Sequence, residues 1–281
     1  TATISGLATN NLYEYQVQSV KGDNTSEWSA IKDFALLTLD SEADNTKAIN
    51  QYNGKYAHVT LGGRTFFKDN SWNTIYLPFD MTLDQVTASP LRDADIRTLT
   101  NNITEEGDYV ILNFTAEGEA LTSWGGNMCF GGVPYIAKWN EGSDIVNPEF
   151  ANVTITSAHY YVGDNTKVAF EGTYAPISFD AEDKSILVFG EGNKTISPLA
   201  GDKIDAFSGY FELFGTFADY NENGTKLILN NLDGDPTTGI ANLSTDSQNN
   251  DSWYTVDGMK LDKQPTHKGL YIHNGKKQVV K

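Results

Sequence analysis

Short runs of β-branched and aromatic residues recur along most of the chain, and clusters of Gly, Asn and Asp separate them. Runs of this length and composition are typical of β-strands, whereas the clusters are typical of turns. The runs lie at Ala57–Leu61, Thr74–Phe79, Ile96–Leu99, Tyr109–Phe114, Tyr135–Trp139, Val153–Thr156, Val168–Tyr174, Ile186–Phe189, Gly209–Phe214 and Lys226–Leu229. Many short strands joined by turns predict an all-β fold, an antiparallel β-sandwich. A short helix is compatible with the pattern only near Asp44–Ile49.

Within the run Thr74–Phe79, the side chains of Ile75, Leu77 and Phe79 alternate with their neighbours. Side chains two residues apart share one face of a strand, so these three are expected in the core. Pro78 has no backbone N–H, which predicts that this end of the strand lies at a sheet edge or near a bulge.

The charge of the chain limits its partners. The 281 residues carry a formal net charge of −17, which excludes nucleic acid as a partner, because nucleic acid requires a basic surface. No run of about 18 apolar residues occurs, so we expect no transmembrane segment. No signal peptide begins at Thr1, which we interpret as an internal cut. Cys129 is the single cysteine and is expected to be a small core residue.

The first 38 residues alternate apolar and polar positions in a way that predicts strands. The spacing of Leu7 and Tyr13, and Ser26–Ser29 followed by Phe34, resemble the corner tyrosine and the last hairpin of fibronectin type III domains. A whole domain of that kind has about seven strands, and only about three fit here. We therefore interpret residues 1–38 as the C-terminal part of such a domain. It either docks on the next domain or leaves a strand edge open.

Two further regions follow. Residues 39–240 are predicted to form the main sandwich, and residues 241–281 a polar linker with a small β tail. In that tail, Asp257-Gly258 and Asn274-Gly275 each lie between apolar runs, which is a strong signal for a β-hairpin.

Several short motifs occur in a fixed order over residues 44–281. They include Trp72-Asn73-Thr74 followed by Leu77-Pro78-Phe79, Pro134-Tyr135-Ile136-Ala137-Lys138-Trp139, Phe170-Glu171-Gly172-Thr173-Tyr174, Gly209-Tyr210-Phe211 and Gly234-Asp235-Pro236. In these motifs the chain resembles a recurrent module of secreted and surface proteins of Bacteroides and Prevotella. Its tail, at Gly269–Ile272 and Asn274–Lys277, is similar to type IX sorting domains. The resemblance implies an extracellular or outer-membrane surface location and a role in adhesion, and it brings no catalytic residues.

Trp124 is the candidate ligand-binding residue, since it lies beside Gly125 and Gly126 in a polar loop. A ring presented there can stack on a sugar, and the Asn127 amide can both donate and accept hydrogen bonds. The alternative is that Trp124 packs on its own sandwich. Trp139, at the end of a strand, is expected to be structural. If the neighbouring Tyr160 and Tyr161 lie in a strand, their side chains point to opposite faces, so we expect one in the core and one exposed.

Asp219, Asn221 and Asn223 match the first half of a calcium-binding EF-hand loop. The twelfth position is Asn230 instead of Glu, and the flanks are typical of strands. The segment is therefore either an Asn-Gly turn or a weak Ca²⁺ site. No other cofactor is expected, because the four histidines lack the spacing of metal ligands.

These features favour a non-catalytic secreted or cell-surface protein that acts in adhesion, in glycan contact or as a spacer. Its expected partners are a host or dietary glycan or an extracellular-matrix protein. The alternative is an accessory domain of a larger secreted glycan-degrading or proteolytic enzyme. Hydrolysis by this chain itself would require two carboxylates about 5 to 10 Å apart across a cleft.

Overall fold

The computed structural model describes most of the chain up to residue 215 and shorter segments beyond it. The described residues are 4–106, 109–116, 119–121, 128–164, 166–190, 195–215, 226–230, 232, 238–239, 253–255, 260–261, 263, 269–273 and 276–280. The chain forms two compact units, Thr1–Ala241 and Asn242–Lys281.

The first unit is an all-β, sandwich-like fold, as predicted. Its helices within the described residues are α1 (Thr46–Gln51) and α2 (Leu83–Thr87). Its strands up to residue 114 are β1 (Asn11–Tyr15), β2 (Val20–Lys21), β3 (Asn24–Thr25), β4 (Lys32–Asp40), β5 (Tyr56–Gly62), β6 (Thr65–Phe66), β7 (Asn73–Tyr76), β8 (Phe79–Thr82), β9 (Asp95–Arg97), β10 (Leu99–Glu106) and β11 (Tyr109–Phe114). The later strands are β12 (Met128–Cys129), β13 (Pro134–Lys138), β14 (Ile145–Val146), β15 (Glu149–Ile155), β16 (Val162–Asp164), β17 (Val168–Gly172), β18 (Ile177–Ser178), β19 (Ile186–Phe189), β20 (Thr195–Ile196), β21 (Lys203–Ile204), β22 (Gly209–Leu213), β23 (Lys226–Asn230) and β24 (Thr238–Gly239).

Four sheets carry most of these strands. Their orders are β1-β4-β5-β15-β8-β12, β16-β17-β22-β19-β20, β10-β11-β23-β24 and β7-β13-β9. Most neighbouring strands are antiparallel, but β4 runs parallel to β5, and β11 runs parallel to β23. All ten predicted runs contain strands, and α1 lies where a short helix was compatible with the sequence. Helix α2 was not predicted, although Thr82 and Gln85 form a capping box, which is a sequence signature of a helix N-terminus.

One core joins the sheets. Phe114 on β11 meets Phe211 on β22 edge to face, with ring centroids 6.1 Å apart, and Phe211 stacks on Phe170 of β17 at 4.7 Å. On another side, Trp139 stacks on Phe66 at 5.7 Å, and both rings are fully buried. The four-stranded and five-stranded sheets therefore bury their aromatic side chains in a shared interior.

The chain changes sheets at Leu77 and Pro78. The predicted strand is divided there into β7 and β8, which belong to different sheets. Ile75, Leu77 and Phe79 are all buried, as predicted. The prediction that they share one face of a single strand is wrong, because Ile75 lies in β7, Phe79 in β8 and Leu77 between the two strands. At the crossing, the carbonyl of Leu77 accepts from Gly132 N at 2.8 Å and that of Pro78 from Thr156 N at 2.9 Å. Because proline donates no hydrogen bond, it is suited to this interruption of the ladder.

The N-terminal hairpin is continuous with the main sheet. Lys32–Leu36 of β4 pair with β1, and Ala35–Asp40 of the same strand pair with β5. The boundary expected at residue 38 therefore falls inside one strand. Ala35, Leu37 and Leu39 are buried in the core of the unit.

The second unit, residues 242–281, forms one four-stranded antiparallel sheet. Its strands are β25 (Trp253–Thr255), β26 (Lys260–Leu261), β27 (Gly269–His273) and β28 (Lys276–Val280), in the order β26-β25-β27-β28. The strand pairs β25–β26 and β27–β28 confirm the two hairpins predicted from the Asp-Gly and Asn-Gly dipeptides. The turn residues themselves lie outside the described part of the chain.

Candidate functional site

The residues predicted to bind a ligand or a metal are not described by the structure. Trp124 and Asn127, and likewise Asp219, Asn221 and Asn223, lie outside the described residues. Among the residues that are described, no group of three or more His, Cys, Asp or Glu side chains could hold a metal ion.

Other predicted roles can be compared with the structure. Trp139 is structural, because it is buried and its Nε1 donates to the carbonyl of Arg92 at 3.0 Å. Cys129 is buried, and burial raises the pKa of its thiol to about 12, so the thiol stays protonated at neutral pH. The prediction for Tyr160 and Tyr161 is wrong, since both are exposed. They precede β16 outside the regular strand geometry that the prediction assumed.

The candidate site that the structure reveals is a cleft of about 400 Å³ beside Arg64. We call it the Arg64 cleft. One wall comes from the segment between β5 and β7, including Arg64, Phe67 and Trp72, and the other from Asp202, Asp205 and neighbouring residues around β21. A volume of this size is within the range of small-ligand pockets.

Arg64 lies in the turn between β5 and β6. Its Nη2 donates to the carbonyl of Thr74 at 2.6 Å, and the guanidinium carbon lies 5.9 Å from the centre of the Phe66 ring. Its Nε is buried and has no hydrogen-bond partner among the described residues. Burial lowers the pKa of Arg64 to about 10, while the charge of Asp205 acts in the opposite direction. The side chain is therefore a cation that lines the cleft and whose Nε–H donor is unpaired among the described residues.

The opposite wall offers carboxylates. Asp202 accepts through Oδ2 from Leu199 N at 2.8 Å. The ammonium of Lys203 lies 2.9 Å from Asp205 Oδ1 and 3.3 Å from Glu42 Oε1. Contact with Asp205 raises the pKa of Lys203, so this lysine stays charged and partly neutralises the acidic wall.

Three aromatic side chains line the cleft: Phe67, Trp72 and Phe189. Trp72 is buried, and its ring is covered by Lys138 Nζ at 4.8 Å and by the Arg97 guanidinium at 5.4 Å. Phe189 is partly buried, whereas Phe67 is 50% exposed and offers a ligand the most accessible ring of the three. The side chain of Asn73 holds its backbone in place by accepting from Phe67 N at 2.8 Å and donating to Phe67 O at 2.9 Å.

Glu171 and Glu212 form a second polar cluster, on the outer face of β17 and β22. Burial, followed by the charges of Glu171 and Asp183, raises the pKa of Glu212. The Tyr210 hydroxyl donates to Glu171 Oε2 at 3.2 Å. The two carboxylates come from neighbouring strands of one sheet instead of facing each other across a cleft.

Exposed apolar side chains lie on the N-terminal hairpin, which we define as residues 11–36, from β1 to the part of β4 that pairs with it. We define the hairpin surface as Val17, Val20, Trp28 and Ile31, and Trp28, the least exposed of the four, is 60% exposed. The two arms are joined by Ser29 N donating to Val17 O at 2.9 Å and Ser26 N donating to Ser19 O at 3.0 Å. At the base, Tyr13 Oη donates to the carbonyl of Ala8 at 2.8 Å, the bond of a tyrosine corner.

Comparison with known proteins gives no match to a family model, to a curated protein or to a solved structure. None of the helices in the described residues combines the length and apolar character needed to cross a membrane.

The sequence carried little signal for the Arg64 cleft. Arg64 and Asp205 are 141 positions apart, and neither belongs to a recognisable ligand motif. The pairing of Gly63 with Asn147, whose Oδ1 accepts from Gly63 N at 2.8 Å, helps to set the turn that directs Arg64 inward.

Proposed function

We propose that the chain is a non-catalytic contact module of a secreted or cell-surface protein of a Bacteroidetes bacterium. It lies outside the cell or at the outer-membrane surface. There it joins other modules and contacts a host or dietary glycan or an extracellular-matrix protein. The observation that carries the proposal is the hairpin surface.

Five of the six large hydrophobic side chains that are at least 60% exposed in the described residues lie in the first 31 positions: Ile4, Val17, Val20, Trp28 and Ile31. The sixth is Val146. Apolar side chains concentrated in this way mark a surface that another protein segment covers. Covering a valine, isoleucine or tryptophan stabilises a contact by roughly 25 cal/mol for each Å² removed from water.

The geometry of the hairpin favours a fibronectin type III-like module as the segment that covers the hairpin surface. The tyrosine-corner bond at Tyr13 and the hairpin that follows match the last strands of such a sandwich. Strand β4 then passes without interruption into the six-stranded sheet. A nine-residue strand shared in this way would act as a stiff joint, which suits a spacer between modules.

Two finer predictions stay part of this proposal. Ca²⁺ is expected to bind weakly at Asp219, Asn221 and Asn223, and calorimetric titration with calcium chloride would detect it. The C-terminal unit is expected to serve as the sorting signal.

The test uses the native protein on intact cells of its host. An antibody against residues 39–240 should label unpermeabilised cells. External protease should cleave residues 16–31 slowly in the wild type and faster in a V17S/V20S/I31S variant, because the substitutions remove the apolar side chains that the covering module contacts. V146S, which changes an equally exposed valine elsewhere, is the control and should behave as the wild type. Absence of surface labelling, or equal cleavage of all three proteins, would contradict the proposal.

A further inference from the structure

We propose that the Arg64 cleft binds a neutral sugar, with Phe67 under the sugar ring and Arg64 and Asp202 on its hydroxyls. The inference rests on the proposed contact function, because it takes the partner of that contact to be a glycan. None of its residues is Trp124 or Asn127, for which the sequence predicted such contact.

The polar groups of the cleft form a donor and acceptor pair. Arg64 lines the cleft, uses Nη2 on the carbonyl of Thr74, and leaves its Nε–H without an acceptor among the described residues. Asp202 uses Oδ2 on Leu199 N, and Oδ1 has no described partner. A hydroxyl can accept from a guanidinium and donate to a carboxylate at the same time. Neighbouring hydroxyls of a sugar therefore match both walls, whereas an apolar ligand would leave these groups unpaired.

The accessible ring supplies the other half of a sugar site. Phe67 is half exposed, and its backbone is fixed in both directions by the Asn73 amide. Because this backbone is already held, little main-chain freedom is lost when a ligand stacks on the ring. Few polar groups placed beside an aromatic wall are typical of small-ligand sites.

The charges of the cleft favour a neutral ligand over an acidic one. The charged side chains that line the cleft balance, with Arg64 and Lys203 against Asp202 and Asp205, and Lys203 also contacts Glu42 outside the lining. The whole chain adds a formal charge of −17. A uronate or sialate would gain no net attraction from the balanced cleft and would be repelled by the negative charge of the whole chain, whereas a neutral hexose or pentose would not be.

The experiment measures binding of the purified 281-residue chain to neutral oligosaccharides (cello-, manno-, xylo- and galacto-hexaose) and to hexagalacturonate by calorimetry. Amide chemical shifts recorded during each titration locate the contact. We expect at least one neutral hexaose to bind and hexagalacturonate to bind more weakly, with shifts concentrated at residues 64–74 and 202–209.

Arg64→Met keeps the aliphatic length and removes the donors, and Phe67→Ala removes the ring. Each should raise the Kd about tenfold or more, since a hydrogen bond to a charged group or a stacked ring contributes at that level. Arg92→Met, at an exposed arginine that does not line the cleft, is the control and should leave the Kd unchanged. If Arg64→Met does not fold, the Kd of Phe67→Ala and the location of the amide chemical-shift changes still test whether the sugar binds in the Arg64 cleft.

No binding of any neutral hexaose, stronger binding of hexagalacturonate, or shifts located elsewhere would overturn the inference. The proposed function has a separate outcome. If the hairpin surface is covered on intact cells while no sugar binds, the result supports the proposed contact function and contradicts only the sugar site.

Discussion

Leu77 is the residue at which the chain passes between two sheets, and its side chain is 2% exposed. Its carbonyl accepts from Gly132 N at 2.8 Å, which holds the crossing in place. We predict that Leu77→Ala lowers the free energy of unfolding by about 2 to 5 kcal/mol, because the rigid surroundings leave a cavity. Thermal melts test this, with Leu199→Ala, at an exposed leucine, as the control. An unchanged midpoint for Leu77→Ala would show that the side chain is not part of the core.

Glu212 gives a pH dependence whose sign follows from its raised pKa. The folded state then holds the proton more tightly than the unfolded state, whose pKa is about 4.3. The stabilisation is fully present below that pH and is lost as the pH rises through the raised pKa. We therefore predict that Glu212→Gln becomes more stable relative to the wild type as the pH increases from about 4 to 7.

Urea denaturation over that pH range measures the difference, and Glu14→Gln, at an exposed carboxylate, is the control. A difference between Glu212→Gln and the wild type that does not change with pH would show that burial and the Glu171 and Asp183 charges do not raise the pKa of Glu212.

At this scale the sequence predicted the buried residues better than the polar site. The apolar character of Ile75, Leu77 and Phe79 identified them as core residues, but the alternation did not, because the chain changes sheets between them and Tyr76 and Pro78 are buried as well. Arg64 was missed, since its role depends on Asp202 and Asp205, which the fold brings near it from a distant segment.

Strand β17 illustrates how elements pack. A Cβ added to Gly172 would lie 2.1 Å from the ring of Tyr76 on β7, so the two strands approach closely only because this residue is glycine. We predict that Gly172→Ala destabilises the sandwich by about 1 to 3 kcal/mol through overpacking. The matched variant is Gly62→Ala, where the nearest atom is 3.4 Å from the added Cβ. Equal melting temperatures for the two variants would contradict this account of the contact.

The existence of the strands was predictable from local composition, but their pairing was not. Each of the ten runs carries its own β signal. The parallel pairing of β4 with β5 joins a segment that resembled another domain to the main sheet. That partnership depends on buried contacts of Ala35, Leu37 and Leu39 with the whole core, which no single run reveals.

At the scale of the whole molecule, the chain is divided into two units, Thr1–Ala241 and Asn242–Lys281. Because residues 242–281 pack among themselves, we predict that deleting Trp253–Lys281 leaves the first unit folded. Its thermal midpoint should stay within about 2 °C of the full chain, as expected for an independent unit. The similarity of the tail to sorting domains further predicts reduced surface display in the native host. Normal display of the truncated protein would exclude the sorting role of the tail. Loss of the cooperative thermal transition would show that the first unit does not fold independently of residues 242–281.

The central claim is that another module covers the hairpin surface in the working protein. Hydrogen exchange tests it most directly, by comparing backbone amides of residues 16–31 in the native surface protein and in the isolated 281-residue chain. The account predicts slower exchange in the native protein, because a covered hairpin opens less often. The amides of β13, in the core of the first unit, should exchange equally in both. Equally fast exchange of residues 16–31 in the two proteins would contradict the claim.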